Sequence, residues 1–77
     1  DVEVEFTERG LVLWRIYIHD RPKPYKIEKN HYFFRADLFH VAIYFYKFGI
    51  EAKIVSPVEV KEFMKNRFKE AFEMYNK

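Results

Sequence analysis

The chain has no cysteine, only two glycines and only three prolines among its 77 residues. The absence of cysteine excludes disulfides and cysteine-ligated zinc sites. Gly10 and Gly49 stand alone rather than in a glycine-rich loop, which excludes the common nucleotide-phosphate motifs. No apolar run approaches the roughly 18 residues that predict a membrane span, so we expect no membrane association.

Hydrophobic residues make up 49% of the chain and aromatic residues 21%. This composition is typical of a folded protein, and we expect residues 1–77 to form one domain around one core. The 14 basic and 12 acidic side chains give a net charge of +2, which alone does not indicate a nucleic-acid partner. Because the chain begins at Asp1 rather than at methionine, we interpret it as a C-terminal fragment of a longer protein.

The first third of the chain predicts a strand followed by a helix. Residues 2–6 (VEVEF) alternate apolar and acidic side chains, as a strand with one buried face does. Residues 7–19 predict a helix, because apolar side chains recur at helical spacing at Leu11, Trp14 and Ile18. The segment is also rich in β-branched and aromatic residues, so a strand is the alternative. The prolines of residues 20–24 (DRPKP) end the element.

A β-hairpin is predicted next. The strands YKIEK and YFFRADL are separated by Asn30 and His31, a two-residue connection typical of hairpins. In that register Ile27 lies opposite Phe34, and both side chains face the core.

A second helix and a fourth strand follow the hairpin. Asp37 caps a helix that runs to Phe48, and Gly49 ends it in the left-handed conformation. Residues 50–55 (IEAKIV) then predict a strand whose buried side carries Ile50, Ala52 and Ile54.

The last helix begins with clear local signals. Ser56 is the expected N-cap, Pro57 the first helical residue and Glu59 the return partner of a capping box. The apolar stripe of this helix consists of Val60, Phe63, Met64, Phe68, Ala71, Phe72 and Tyr75. The order strand, helix, strand, strand, helix, strand, helix predicts an α+β fold, a ferredoxin-like βαββαβ sandwich with an added C-terminal α-helix.

Residues suited to catalysis are sparse. Ser56 and Thr7 are the one serine and one threonine of the chain, and both suit helix caps better than nucleophiles. The three histidines lack metal-ligand spacing, and Glu3 and Glu5 suit a solvated strand face better than a paired-acid site. We therefore expect no enzyme activity, no catalytic residue, no metal site and no cofactor. An acylphosphatase-type enzyme is disfavoured because its arginine-bearing phosphate loop is missing.

Three lysines recur every four residues along the last helix, at Lys61, Lys65 and Lys69. Like charges at this spacing repel by about 0.2 to 0.5 kcal/mol per pair, and an anionic partner would relieve the repulsion. The three side chains are therefore candidates for contact with an anionic or nucleic-acid effector. The alternative is a solvated face moderated by the neighbouring acidic residues.

The outward face of the hairpin supplies two further candidates, Phe33 and Arg35. On a sheet of this topology an aromatic side chain can stack on a base while a neighbouring arginine holds a phosphate. Glu3 and Glu5 lie on the other expected central strand and would repel a nucleic-acid backbone. An RNA-recognition domain is therefore disfavoured.

The middle helix, LFHVAIYFYKF, is apolar on nearly every side. Packing one side on the sheet leaves Phe39, Ile43 and Tyr46 without cover, and a helix that is hydrophobic all round is normally buried. These three residues are candidates for an interface with another domain or subunit. The alternative is that the last helix folds back over them.

Together, the segments VEVEFT, KFG, EAKIVSP and PVEVKE and the closing Tyr75 resemble the C-terminal extension that follows WYL domains in bacterial transcriptional regulators. In that family a strand ending in Phe-Ser or Phe-Thr opens the extension, and a later helix ends in Phe-Gly. A strand of the type EVLEP and a helix starting PEELRE follow, in the same order and over essentially the whole chain. Ser56, Val60 and Lys61 depart from the family pattern of an acidic residue, Leu and Arg.

The resemblance implies a cytoplasmic, homodimeric regulator whose separate N-terminal domain contacts DNA. Its WYL and extension domains would sense an effector, in some members a nucleic acid. Our first hypothesis is accordingly a regulatory, effector-sensing and dimerisation module. The alternative is a small-molecule-binding sensor domain of ferredoxin-like fold, and steep weakening of ligand binding by salt would favour the first hypothesis.

Overall fold

A computed structural model of the chain describes residues 1–35 and 37–77. Its strands are β1 (Val2–Phe6), β2 (Pro24–Glu28), β3 (His31–Phe34) and β4 (Ala52–Ser56). Its helices are α1 (Glu8–Ile16), α2 (Leu38–Tyr46) and α3 (Val58–Tyr75), with a 3₁₀ turn at Gly49–Glu51 before β4. Within these ranges, none of the helices combines the length and the apolar character that crossing a membrane requires.

The four strands form one antiparallel sheet in the order β2-β3-β1-β4. This arrangement confirms the predicted α+β, ferredoxin-like fold with an added C-terminal helix. The helices pack on the sheet face that carries Val2, Val4 and Phe6, and all three of these side chains are buried. The opposite face, which carries Glu3 and Glu5, has no helix layer over it in the part of the chain described.

The core is built mainly from aromatic side chains. Phe6 lies 5.8 Å from Trp14 and 5.6 Å from Phe45, measured between ring centroids. Trp14 and Phe45 stack nearly parallel at 6.0 Å. These contacts connect β1, α1 and α2, and aromatic pairs of this kind stabilise a fold by about 0.5 to 1.5 kcal/mol beyond their buried area.

Two predicted N-caps and the predicted left-handed glycine are confirmed. The Thr7 hydroxyl accepts a hydrogen bond from the Gly10 N–H at 3.0 Å, which caps α1. The Asp37 carboxylate caps α2 by accepting from two backbone N–H groups of its first turn, each at 3.0 Å. Gly49 adopts a φ of 58°, the left-handed conformation that glycine tolerates best.

Both of the first two helices are shorter than predicted. α1 ends at Ile16 rather than at His19, because Tyr17 leaves the helical conformation and its carbonyl accepts a hydrogen bond from the Tyr44 hydroxyl. Ile18 is consequently exposed. α2 ends at Tyr46, two residues before the predicted end at Phe48.

The predicted hairpin register is wrong by two residues, because the turn lies one residue earlier in the chain than predicted. Ile27 pairs with Tyr32, not with Phe34, and the turn is Lys29 and Asn30. The physical reason is that Asn30 donates its side-chain amide to the Phe6 carbonyl at 2.8 Å, which ties it to β1. Ile27 is exposed on the edge strand β2, contrary to the prediction, while Phe34 is fully buried as predicted.

The predicted start of the last helix is also wrong in detail. Ser56 is the last residue of β4, where it pairs with Glu3 of β1, and Pro57 takes the N-cap position without a side-chain capping bond. The capping box with Glu59 is therefore absent. Ile50 belongs to the 3₁₀ turn and is 92% exposed, so it does not share the buried side of Ala52 and Ile54.

A candidate ligand groove beside the edge strand

An open groove of about 380 Å³ runs between β4 and α3. It exists because β4 is an edge strand and α3, which follows it after Pro57, packs back along the sheet. Its lining consists of Gly49, Ile50, Ala52, Lys53, Ile54, Lys61, Met64, Lys65 and Phe68.

The floor of the groove is apolar and its rim is basic. Ile54 and Met64 are buried core residues at the bottom, whereas Lys53, Lys61 and Lys65 are exposed. No carboxylate belongs to the lining. Within the described residues, the groove thus combines an apolar contact surface with three positive charges, which suits a ligand that is both partly apolar and anionic.

The structure brings together two of the three lysines predicted from helical spacing. Lys61 and Lys65 are at the rim, and Lys69, one turn further along α3, does not line the groove. Sequence reasoning missed Lys53, which comes from β4 rather than from the helix. The alternation of residues 50–55 (IEAKIV) predicts that Lys53 and Ile54 lie on opposite faces of the strand. The sequence carries no signal that Lys53 lies beside α3.

Phe33 and Arg35 lie on a different surface, the open face of the sheet. The Arg35 guanidinium lies 4.0 Å from the centroid of the Tyr25 ring, and its Nε lies 3.7 Å from the Asp1 carboxylate. Phe33 lies under the ammonium group of Lys26, at 4.9 Å from the ring centroid. The five effector candidates predicted from sequence therefore fall on two separate surfaces.

The open sheet face carries charges of both signs. His31 Nδ1 lies 2.7 Å from the Glu3 carboxylate, and its Nε2 lies 4.0 Å from that of Glu5. Lys26 and Glu28 form an ion pair at 2.6 Å; this hydrogen bond raises the pKa of Lys26 and lowers that of Glu28. Across residues 1–35 and 37–77 no group of three histidine or acidic side chains is arranged to hold a metal ion.

The exposed side of α2 is covered in part by α3. Phe39 packs edge-on against Phe63 at 5.1 Å, and Tyr46 stacks on Phe68 at 4.8 Å. The last helix thus folds back over two of the three predicted interface candidates, as one of the two sequence interpretations expected. Ile43, the third candidate, is still 66% exposed.

The predicted apolar stripe of α3 is buried only in its first half. Val60 and Met64 belong to the core, whereas Phe72 is 67% exposed and Tyr75 is also exposed. The helix is longer than the sheet that it covers, and the molecule is accordingly elongated, with extents of 40 × 25 × 21 Å. The stripe is therefore a core feature near Val60 and a surface feature near Tyr75.

No protein-family model matches the chain, and no curated protein does either. Among solved structures, the chain is similar to the crystal structure of a CRISPR Cas-related protein, with 30% sequence identity and a TM-score of 0.84. The match covers 97% of this chain and 20% of that protein, so the chain spans about a fifth of the length of its relative. The chain is thus a small α+β domain related to part of a CRISPR-associated protein.

Proposed function

We propose that the domain is the regulatory, effector-sensing and dimerisation module of a WYL-type bacterial transcriptional regulator, and that the groove between β4 and α3 receives an anionic effector. In this proposal the domain has no catalytic role and acts in the cytoplasm. DNA is contacted by a separate N-terminal domain, and the protein is a homodimer.

Two observations support the placement in a larger regulatory protein. The residues that carry the resemblance to the WYL extension have defined structural roles, since Thr7 caps α1 and Gly49 takes the left-handed conformation in the turn between α2 and β4. The similarity to a CRISPR Cas-related protein covers only a fifth of that protein, as expected for one module of a longer chain.

The observation that carries the proposed effector site is the basic rim above an apolar floor. Lys53 of β4 and Lys61 and Lys65 of α3 all line this one groove. Three like charges at one groove repel one another, and an anionic ligand offsets that repulsion. Such a ligand would also cover apolar surface at Ile54 and Met64.

Binding of two labelled anionic probes tests the proposal, namely a short single-stranded DNA and a hexaglutamate peptide, at about 50 and about 200 mM salt. The test variant is Lys53→Glu, Lys61→Glu, Lys65→Glu. The matched control is Arg15→Glu, Lys23→Glu, Lys77→Glu, which changes the net charge equally at exposed positions away from the groove. Circular dichroism establishes that both variants are folded.

We expect salt-sensitive binding of at least one probe, lost in the groove variant and kept in the control. Failure of both probes to bind, or equal loss in both variants, would contradict the proposed effector site. Binding that is insensitive to salt would favour the alternative, a small-molecule-binding sensor domain.

A further inference from the structure

We propose that the ligand of this groove is an extended polypeptide segment with alternating acidic and apolar residues, which adds to the free edge of β4 as a fifth strand. The inference rests on the proposed function in that both use the lysine-rimmed groove. It goes further by naming the chemical class of the ligand and the way in which it binds.

The backbone of β4 has one unpaired edge. On one side β4 pairs with β1, and on the other side the described residues supply no strand. The Thr7 N–H donates to the Glu51 carbonyl at 3.0 Å, so Thr7 and Glu51 form a hydrogen-bonded pair at the end of the β1–β4 ladder. Because bonded and non-bonded pairs alternate in antiparallel strands, the backbone groups of Ala52 and Ile54 point away from β1.

An unpaired edge of this kind offers both donors and acceptors. The N–H groups need an acceptor and the carbonyl groups need a donor, and another polypeptide strand supplies both in the right alternation. A phosphodiester backbone supplies acceptors only. The exposed backbone of β4 therefore favours a polypeptide over a nucleic acid.

The edge of β4 that pairs with β1, its inner edge, shows which side chains suit such a strand. On that edge Val4 is paired with Ile54 on the helix side of the sheet, and Glu5 is paired with Lys53 on the open side. β4 thus already accepts VEVEF, a strand of alternating apolar and acidic residues, as its partner. Because a strand presents the same side chains to both of its neighbours, the free edge suits the same alternation.

The groove extends this complementarity beyond the strand itself. Apolar side chains of an added strand would face Met64 and Phe68 of α3, while Lys61 and Lys65 lie beside them at the rim. The lining carries no carboxylate that would repel an acidic segment. The acidic side chains of the added strand would point to the open side of the sheet, where Lys53 lies, so that charge and apolar contact select the same kind of peptide.

The test uses a capped peptide with the sequence of residues 1–7, DVEVEFT, checked to be monomeric. We expect it to bind the 77-residue chain about tenfold or more tightly than three other probes: the same peptide with its acidic residues replaced by lysine, hexaglutamate, and single-stranded DNA. The Lys53→Glu, Lys61→Glu, Lys65→Glu variant should lose this binding. The matched control Arg15→Glu, Lys23→Glu, Lys77→Glu should keep it.

Two backbone measurements separate strand addition from other binding in the groove. N-methylation of alternate peptide residues blocks one edge of the peptide, so one alternate set should abolish binding and the other should leave it within about threefold. Amide hydrogen exchange at Ala52 and Ile54 should slow in the complex, because their outward N–H groups become hydrogen-bonded.

Tighter binding of DNA than of the peptide would overturn the inference and leave the proposed effector site standing. Peptide binding that tolerates either set of N-methyl groups, or that leaves exchange at Ala52 and Ile54 unchanged, would also overturn it. If neither peptide nor DNA binds, the proposed effector site and the inference fail together.

Discussion

The backbone carbonyl of Glu51 lies directly against Gly10, so that a Cβ atom at Gly10 would overlap it and would also lie 3.2 Å from the Phe6 ring. The Thr7 N–H donates to the same carbonyl at 3.0 Å, and the Thr7 hydroxyl donates to the Glu51 carboxylate at 2.6 Å. The start of α1 is thereby held against the turn that leads into β4. This contact positions one end of the strand that forms the groove.

Replacing Gly10 by alanine should reduce the free energy of unfolding by about 2 kcal/mol or more, because the obstacle is backbone and cannot rotate away. The control is Gly49→Ala, where no atom lies within 4 Å of the new Cβ and only the left-handed φ is unfavourable. The free energy of unfolding of that variant should be lower by about 1 kcal/mol. Urea denaturation measures both values, and an equal or larger loss in Gly49→Ala would show that the close approach at Gly10 relaxes easily.

Replacing Thr7 by alanine should lower the free energy of unfolding by about 1 kcal/mol, the usual value for losing an N-cap. Ser56→Ala should change it by less than about 0.5 kcal/mol, since the Ser56 side chain caps nothing in this structure. The pair distinguishes a real cap from one that only the sequence pattern suggested. If Ser56→Ala lowered the free energy of unfolding as much as Thr7→Ala does, the predicted capping box of Ser56 and Glu59 would be correct after all.

The parts of the fold that follow from local chemistry are the parts that the sequence predicts well. The alternation of VEVEF gives β1 and its buried face, Asp37 gives the start of α2, and Gly49 gives the left-handed position in the turn between α2 and β4. In each case the determining interaction lies within a few residues, so that the pattern and the structure report the same contact. The element order and the ferredoxin-like arrangement follow from these signals.

Features that depend on distant partners could not be predicted in this way. The hairpin turn shifts because Asn30 bonds to the Phe6 carbonyl, 24 residues away. The groove requires Lys53 and Lys61 to come from a strand and a helix that meet only in the folded chain. The apolar stripe of α3 does not reveal that the sheet beneath it ends before Phe72.

Tyr44 should make stability depend on alkaline pH. Burial raises the pKa of the Tyr44 phenol, whose hydroxyl donates to the Tyr17 carbonyl. The folded state favours the neutral phenol. The contribution of Tyr44 to the free energy of unfolding is therefore complete below the unfolded-state pKa of about 10, and it is lost as the pH rises through the raised folded-state pKa. Tyr44→Phe should therefore cost about 1 kcal/mol at neutral pH, and the difference from the original chain should shrink in strongly alkaline solution.

Urea denaturation at pH 7 and at a series of values above 10 measures this change. Tyr75→Phe is the control, because it makes the same chemical change at an exposed residue near the end of α3. A constant difference between Tyr44→Phe and the original chain across the whole range would exclude Tyr44 as the source of any alkaline instability.

Ile43 tests the proposed dimerisation role, because it is the interface candidate that α3 leaves uncovered. An apolar side chain that is 66% exposed contributes little to the fold of one chain but much to a dry interface between two. In the full-length regulator that we propose, Ile43→Glu should weaken dimerisation by about tenfold or more.

Ile16→Glu is the matched control, since Ile16 is similarly exposed, at 61%, but lies on α1. Sedimentation velocity over a range of concentrations measures the dimer fraction, and urea denaturation of the 77-residue chain should show equal stability for both variants. A fully dimeric Ile43→Glu protein would place the dimer contact elsewhere and leave this face of α2 without a role in assembly.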